Sequence, residues 1–142
     1  AKVVDYNPYR MHQRVASTLR SGRIVLAGDA AHITNPTGGM GLTSGLYDDI
    51  LLQEILIAIL SGDADLDALD YYATDRAEKF LQVASAGATA FKKMVFDTRD
   101  VEEQSRGLQP QRDASKSPEL QRQFLTTTDQ LRSTPLAERS AV

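Results

Sequence analysis

RIVLAGDAAHITNPTGGMGLTSGLYDD, residues Arg23 to Asp49, runs in order through a strand, an acidic turn, a glycine-rich loop and the start of a helix. The strand is Arg23–Ala27, a continuous apolar run of the kind that is buried on both faces. It ends at Gly28-Asp29, which puts a carboxylate at the C-terminal tip of the strand, where it can accept hydrogen bonds from vicinal hydroxyls. Pro36, Gly38, Gly39 and Gly41 then shape a loop whose backbone can approach a ligand closely. Gly41 is the loop position expected to suffer most from an added side chain. The loop enters a helix near Thr43, and the unpaired N–H groups of that helix point at whatever the loop holds. Together these features predict recognition of a polyol and of an electron-rich or anionic group by one compact unit.

Outward from this unit, the pattern turns helical. Leu42, Leu46 and Ile50 repeat at i+4, as do Leu52, Leu56 and Leu60, and Ile55–Leu60 is apolar all round. The spacing predicts a helix over Thr43–Leu60, buried over its second half, with Thr43 or Ser44 as N-cap. Asp48 and Asp49 lie early in it, where the macrodipole tolerates negative charge. Ser61-Gly62 ends the helix, and a second helical region runs from Asp63 or Asp65 through Phe96, with room for a break at Ser85–Gly87. Upstream, Val3–Tyr6 reads as a strand end and Asn7-Pro8 as a turn. Met11 to Leu19 is a short helix or irregular connection, closed by Ser21-Gly22. Downstream, Asp97 to Ser117 is charged and Gln-rich and reads as a surface segment or linker. Pro118 to Leu131 forms one more amphipathic helix anchored by Leu120, Phe124 and Leu131, and Ser133 to Val142 is a frayed end. No internal repeat is visible.

Composition bounds the function. A chain of 142 residues supports one domain with a modest core. A net charge of −3 argues against a nucleic-acid partner held by a basic patch. The absence of Cys excludes disulfides, thiolate metal sites and redox dithiols, and His12 and His32 are too few for a metal cluster. The longest strongly apolar run, Ile55 to Leu60, is far short of a membrane span. No signal peptide is visible at this N-terminus, and the expected location is the cytoplasm.

Gly28-Asp29-Ala30-Ala31-His32, followed by Pro36, Gly38-Gly39 and Gly41-Leu42, resembles the second flavin-binding motif of FAD-dependent aromatic hydroxylases, the flavoprotein monooxygenases with the para-hydroxybenzoate hydroxylase fold. Two elements at the right separation carry the resemblance, and the approach HQRVASTLRSGRIVLAGD strengthens it. The similarity extends from about His12 to Phe96. Such enzymes begin with a βαβ unit carrying G-x-G-x-x-G, which seats the pyrophosphate of FAD on a helix N-terminus. Nothing before Arg23 supplies it. Gly39-Met40-Gly41 is a near-match, but Ser44 stands at the third glycine position and the segment lies well beyond the strand. The chain starts at Ala1 without Met, which fits a fragment, although Met removal before Ala looks the same.

The resemblance implies an α/β fragment: a buried strand, a glycine-rich loop and long helices, the partial FAD-binding domain of a para-hydroxybenzoate hydroxylase-like fold with a mostly helical C-terminal half. Residues 1–96 are expected to be the C-terminal part of that domain, and 97–142 a charged linker and helical tail. The implied cofactor is FAD, with NAD(P)H as transient electron donor. The implied reaction uses O2 to hydroxylate an aromatic or polyketide-like small molecule. The implied partner is the missing N-terminal half of the same enzyme. By resemblance Asp29 binds the ribityl chain, Pro36, Thr37, Gly38 and Gly39 lie along the flavin, and the N–H groups near Leu42 and Thr43 meet its pyrimidine edge. Gly28 and Gly41 complete the cofactor-binding set. Many relatives carry Asn where this chain has Thr43. His32 is expected to brace the loop by hydrogen bonding rather than to move protons. His12 and Arg14 either approach a substrate or face solvent, and Tyr6, Tyr9, Tyr71 and Tyr72 are packing residues. Two other readings stay open: a flavin-dependent reductase or halogenase on the same scaffold, and a truncated non-catalytic protein that binds a partner.

Overall fold

The computed structural model describes residues 5–8 and 10–139. The expected packing role of Tyr9, and Val3 and Val4 of the strand end at Val3–Tyr6, lie outside that range. Tyr6 itself is exposed rather than packed.

Among the described residues, four two-residue strands form two small antiparallel ladders. β2 (Arg20–Ser21) and β3 (Ile24–Val25) make a hairpin, with Arg20 opposite Val25 and Ser21 opposite Ile24. Gly22, at φ 60°, supplies the left-handed residue that such a two-residue turn requires at its first position. β1 (Arg14–Val15) pairs with β4 (His32–Ile33). The segment Met11–Leu19 therefore carries a strand and not a helix. The strand expected over Arg23–Ala27 is shorter than the apolar run and is not buried on both faces, since Ile24 is exposed. Among the described residues β3 has only β2 beside it, so no second neighbour extends the ladder or covers Ile24.

Helix α1 (Gly41–Ser61) starts two residues before the expected position and ends at Gly62 in the left-handed conformation. Met40 takes the N-cap position without a side-chain cap, so neither Thr43 nor Ser44 caps the helix. The repeat Leu42, Leu46, Ile50 marks the exposed face, with Leu42 78% exposed. The buried face is Ser44, Asp48, Leu51 and Ile55. The second half of α1 is buried on one side only, and Leu60 is 86% exposed. One neighbouring helix on one side cannot cover a helix that is apolar all round.

That neighbour is α2 (Ala68–Lys79), and Leu51 and Ile55 pack against its Leu69 and Tyr72. The chain continues through a π-helical turn at Phe80–Ser85, α3 (Ala86–Lys92) and a second π turn at Lys93–Asp97. The break admitted at Ser85–Gly87 is thus a widened turn inside a continuing helix. Phe80, Ala84 and Leu131 form a second apolar cluster, joined by Val15, Met40 and Tyr47.

The stretch expected as a charged surface segment or linker is helical over α4 (Val101–Gly107) and α5 (Gln109–Ala114). Asp100 caps α4 through the N–H groups of Glu102 and Glu103, a local signal that composition alone does not reveal. The helix expected from Pro118 to Leu131 is α6 (Pro118–Leu125) followed by a 3-10 turn at Thr127–Leu131. Of its three anchors only Leu131 is buried; Leu120 and Phe124 stay partly open. A short helix, α7 (Leu136–Arg139), lies within the end that was expected to fray.

The last segment straps back over α1 and α2. The Leu136 amide donates to Glu54 Oε1 at 2.6 Å, and Tyr71 Oη donates to the Thr134 carbonyl at 2.7 Å. The Arg139 guanidinium lies 4.0 Å above the Tyr71 ring.

Candidate functional site

The hairpin delivers the chain to Gly28-Asp29, and two contacts fix its exit. Leu26 N donates to Leu19 O at 2.9 Å, and the buried Tyr72 hydroxyl donates to Leu26 O at 2.8 Å. Burial pushes the Tyr72 phenol well above its ordinary pKa, and the nearby Asp48 charge adds to this. The phenol therefore stays protonated and remains a donor. Residues Gly28–Ala30 form one 3-10 turn, entered by Gly28 at φ 56°. A Cβ built on Gly45 would lie 3.3 Å from Gly28 Cα, so a glycine on α1 lets this turn rest directly against the helix.

Asp29 caps nothing. Its turn has no side-chain cap, and its carboxylate, exposed to solvent, has no hydrogen-bond partner among the described residues. It lines an open depression of about 480 Å³. Ala27, Gly28 and Asp29 form one wall of this depression, and Gly41, Leu42, Gly45, Leu46 and Asp49 on the first turns of α1 form the other. The N–H groups of Gly41, Leu42 and Thr43 have no acceptor among the described residues, and the first helical bond outside them runs from Ser44 N to Met40 O. A 21-residue helix thus presents free donors and the positive end of its dipole next to a free carboxylate. Hydroxyl groups suit the carboxylate, and an electron-rich or anionic edge suits the helix terminus. This donor and acceptor set fits the ribityl chain and pyrimidine edge of a flavin.

The structure brings Gly28, Asp29, Gly41 and Leu42 together at this depression. Pro36, Thr37, Gly38, Gly39 and Thr43 are not among its lining residues. Pro36–Gly38 is a 3-10 turn capped by Asn35, whose Oδ1 accepts from Thr37 N at 3.1 Å. The turn is clamped onto α3: a Cβ on Gly38 would lie 2.8 Å from Ala88 Cα. Gln13 completes the clamp. Its Oε1 accepts from Asn35 Nδ2 at 2.7 Å, and its Nε2 donates to Ser85 O at 2.9 Å and Thr89 Oγ1 at 2.8 Å. The Ser85 carbonyl also accepts from Thr89 Oγ1 at 2.8 Å. The loop is therefore two short 3-10 turns and a strand pair rather than plain coil. Its left-handed positions are Gly28 and Gly39, not Gly41, whose added Cβ would meet only Thr34 Cγ2 at 3.8 Å. Strain from a side chain falls on Gly39, and direct collision falls on Gly38.

Beneath the turn lies a polar center that sequence patterning did not reveal. Asp48, 0% exposed, accepts through Oδ2 from Gly28 N at 2.9 Å and from His32 Nε2 at 2.7 Å. Its Oδ1 accepts from Arg76 Nε at 2.8 Å. Burial pushes the Asp48 carboxyl up, but the hydrogen bonds from His32, Arg76 and the Gly28 amide outweigh it and hold the group below its ordinary 3.8. Arg76, also 0% exposed, sends Nη1 onward to Leu131 O at 2.7 Å and Ser133 Oγ at 3.0 Å. The His32 ring stacks on Phe80 with centroids 4.2 Å apart. His32 therefore braces the loop, as expected. Asp48 looked like a charge tolerated by the helix dipole, although it sits one turn from Ser44 and one turn from Leu51 on the buried face. His12 and Arg14 are exposed.

Comparison with known proteins places this geometry. The chain is 52% identical over 89 residues to para-nitrophenol 4-monooxygenase of Pseudomonas sp. (strain WBC-3), covering 63% of this chain and 22% of that protein. It is 37% identical over 137 residues to 6-hydroxy-3-succinoylpyridine 3-monooxygenase HspB of Pseudomonas putida (strain DSM 28022 / S16), covering 87% of this chain and 34% of the relative. The crystal structure of p-nitrophenol 4-monooxygenase PnpA from Pseudomonas putida DLL-E4 superposes with a TM-score of 0.80 at 41% identity, over 91% of this chain and 33% of that one. The chain thus spans about a third or less of the length of these relatives. Residues 1–86, more than half of the chain, match the family described as FAD binding domain, and the chain belongs to that family.

Proposed function

We propose that this chain is the C-terminal part of the FAD-binding domain of a flavin-dependent monooxygenase that hydroxylates an aromatic or polyketide-like small molecule with NAD(P)H and O2. The observation that carries the reading is the free Asp29 carboxylate facing the uncapped N-terminus of α1 across an open depression. In this reading Gly28 and Asp29 hold the ribityl chain, Gly41, Leu42 and Thr43 offer N–H groups to the pyrimidine edge, and Pro36, Thr37, Gly38 and Gly39 form the firm shelf along the ring. FAD, when bound, would supply the redox chemistry, with NAD(P)H as reductant, O2 as oxidant and water taking the second oxygen atom. The protein's own residues orient the ring, exclude water and stabilise negative charge at the pyrimidine edge with preorganised N–H donors. Residues 1–96 serve the cofactor and 97–142 form the helical tail. The partner is the remaining part of the same enzyme, including its pyrophosphate site, and the location is the cytoplasm. Among the described residues no helix is long and apolar enough to cross a membrane.

The test is product analysis on the complete enzyme. Acid release should yield FAD. Oxygen uptake should be coupled to NAD(P)H oxidation in the presence of a phenol such as para-nitrophenol or a polyketide-like phenol, with a hydroxylated product by mass spectrometry. A reduced or halogenated product would move the reading to another flavin chemistry, and a complete protein that takes up no FAD would overturn it.

A further inference from the structure

We propose that Asp48 is a positioning residue of the cofactor site, holding the Gly28–Asp29 turn in its ligand-ready conformation through the Gly28 amide. The inference rests on the flavin-binding reading above. Among the described residues the exposed Asp29 carboxylate has no hydrogen-bond partner, so it is placed only by the backbone that carries it. That backbone turns at Gly28, left-handed at φ 56°, and the Gly28 N–H is tied to Asp48 Oδ2 at 2.9 Å. The tie is charge-assisted, and its acceptor lies on a fully buried side chain, which makes it stronger than a neutral bond. His32 Nε2 shares the same oxygen, and Arg76 Nε holds the other. Three donors from three separate elements therefore converge on one buried carboxylate. Through Arg76, the same carboxylate is linked to the carbonyl of Leu131 and the hydroxyl of Ser133 in the C-terminal strap. The turn that presents Asp29 is thus fixed from below by α1, α2 and, at one remove, the strap.

The physical consequence separates placement from mere stability. A buried ion pair can be exchanged for apolar side chains of similar volume with little loss of stability, whereas removing one partner alone leaves a buried charge. Asp48→Leu combined with Arg76→Met removes both charges together and leaves the Gly28 amide without its acceptor. A purely structural ion pair predicts a folded protein with normal cofactor affinity. A positioning carboxylate predicts a folded protein whose Gly28–Asp29 turn is loosened.

The experiment uses the complete enzyme and three variants: Asp29→Ala, the Asp48→Leu/Arg76→Met pair, and all three changes together. FAD affinity is measured by flavin fluorescence titration of the apoprotein, and hydrogen exchange of the peptide spanning Ala27–Ala31 is followed without flavin. Expected are faster exchange at that peptide in the paired variant and a weakening of FAD binding by roughly tenfold or more, the scale of one lost charge-assisted bond. Adding Asp29→Ala to the paired variant should cost less than it costs alone, because the two act through one turn. Unchanged exchange, unchanged affinity or strictly additive losses overturn the proposal. If the paired variant does not fold, Asp48→Asn carries the same three readouts, since in either orientation of the amide the Gly28 N–H loses its charged acceptor and faces a donor or a neutral oxygen. Wild-type apoprotein that takes up no FAD defeats the functional reading and the inference with it, whereas normal FAD binding in every Asp48 variant defeats the inference alone.

Discussion

Asp29 keeps its carboxylate open to solvent at the rim of the depression, with no bond to any described residue. Asp48, on the helix that forms the opposite wall, has both oxygens engaged by internal donors. The same side chain therefore serves ligand contact at one position and internal support at the other. Asp29→Ala in the complete enzyme should weaken FAD binding by about 1.5–3 kcal/mol, a tenfold to hundredfold loss, because one charge-assisted acceptor is removed. Its melting temperature should stay at the wild-type value, and a flavin titration beside a thermal melt of the apoprotein checks both halves. Asp48 should behave in the opposite way toward acid. Its folded pKa lies below 3.8, so its contribution to stability is complete above 3.8 and is lost as pH falls through the lower folded value. Urea unfolding across that window should show wild type losing stability with acid more steeply than Asp48→Asn, which has no carboxylate to protonate.

At the scale of elements, the loop is held by close backbone approach more than by flexibility. Gly38 is pressed on Ala88 of α3, Gly28 rests against Gly45 of α1, and Gly39 is left-handed. A glycine series separates these reasons. Gly38→Ala should destabilise by about 1–3 kcal/mol through overpacking against backbone that cannot give way. Gly39→Ala should cost roughly 1–2 kcal/mol from the left-handed conformation alone. Gly41→Ala should be close to neutral, because its Cβ finds only an ordinary contact with Thr34. Gly87→Ala, inside α3 with nothing within 4 Å, should stabilise by up to about 1 kcal/mol. Chemical denaturation of the four variants ranks them, and a Gly41 variant less stable than the Gly38 variant would contradict this account of the loop.

Over the whole molecule, one face of α1 is apolar and open. Leu42, Leu46 and Ile50 lie along its first half, with Ile57 and Leu60 beyond, and Ile24 of the hairpin is exposed as well. A run of exposed large apolar side chains of this kind marks an interaction surface or a solubility liability. The 142-residue chain by itself should therefore bind a hydrophobic dye and self-associate. Ile57→Lys with Leu60→Lys should reduce both with little change in thermal stability, since neither side chain packs in a core. The same chain by itself should bind FAD weakly, because its described residues offer contacts for the ribityl chain and ring edge only. A stoichiometric submicromolar complex in a fluorescence titration would overturn that expectation.

Sequence alone determined the order of strand, acidic turn, glycine loop and helix, because each step is set by local chemistry: an apolar run, an Asp beside Gly, a glycine cluster, then i+4 repeats. It also determined the family, since the motif and its spacing are local features too. Which face of α1 is buried was decided only in three dimensions. The i+4 repeat of Leu42, Leu46 and Ile50 marks an exposed face, and the buried one opens with Ser44 and Asp48. Hydrophobic patterning cannot rank a Ser and an Asp as interior, because their burial is made affordable by partners from distant segments. For Asp48 those partners are the Gly28 amide, His32 and Arg76. The helicity of Val101–Ala114 was hidden for a related reason: charged composition argued for a linker, while an Asp100 cap and packing against neighbouring turns favoured helix. Local chemistry names the elements; long-range contacts choose their faces and join a buried carboxylate to the turn that presents Asp29.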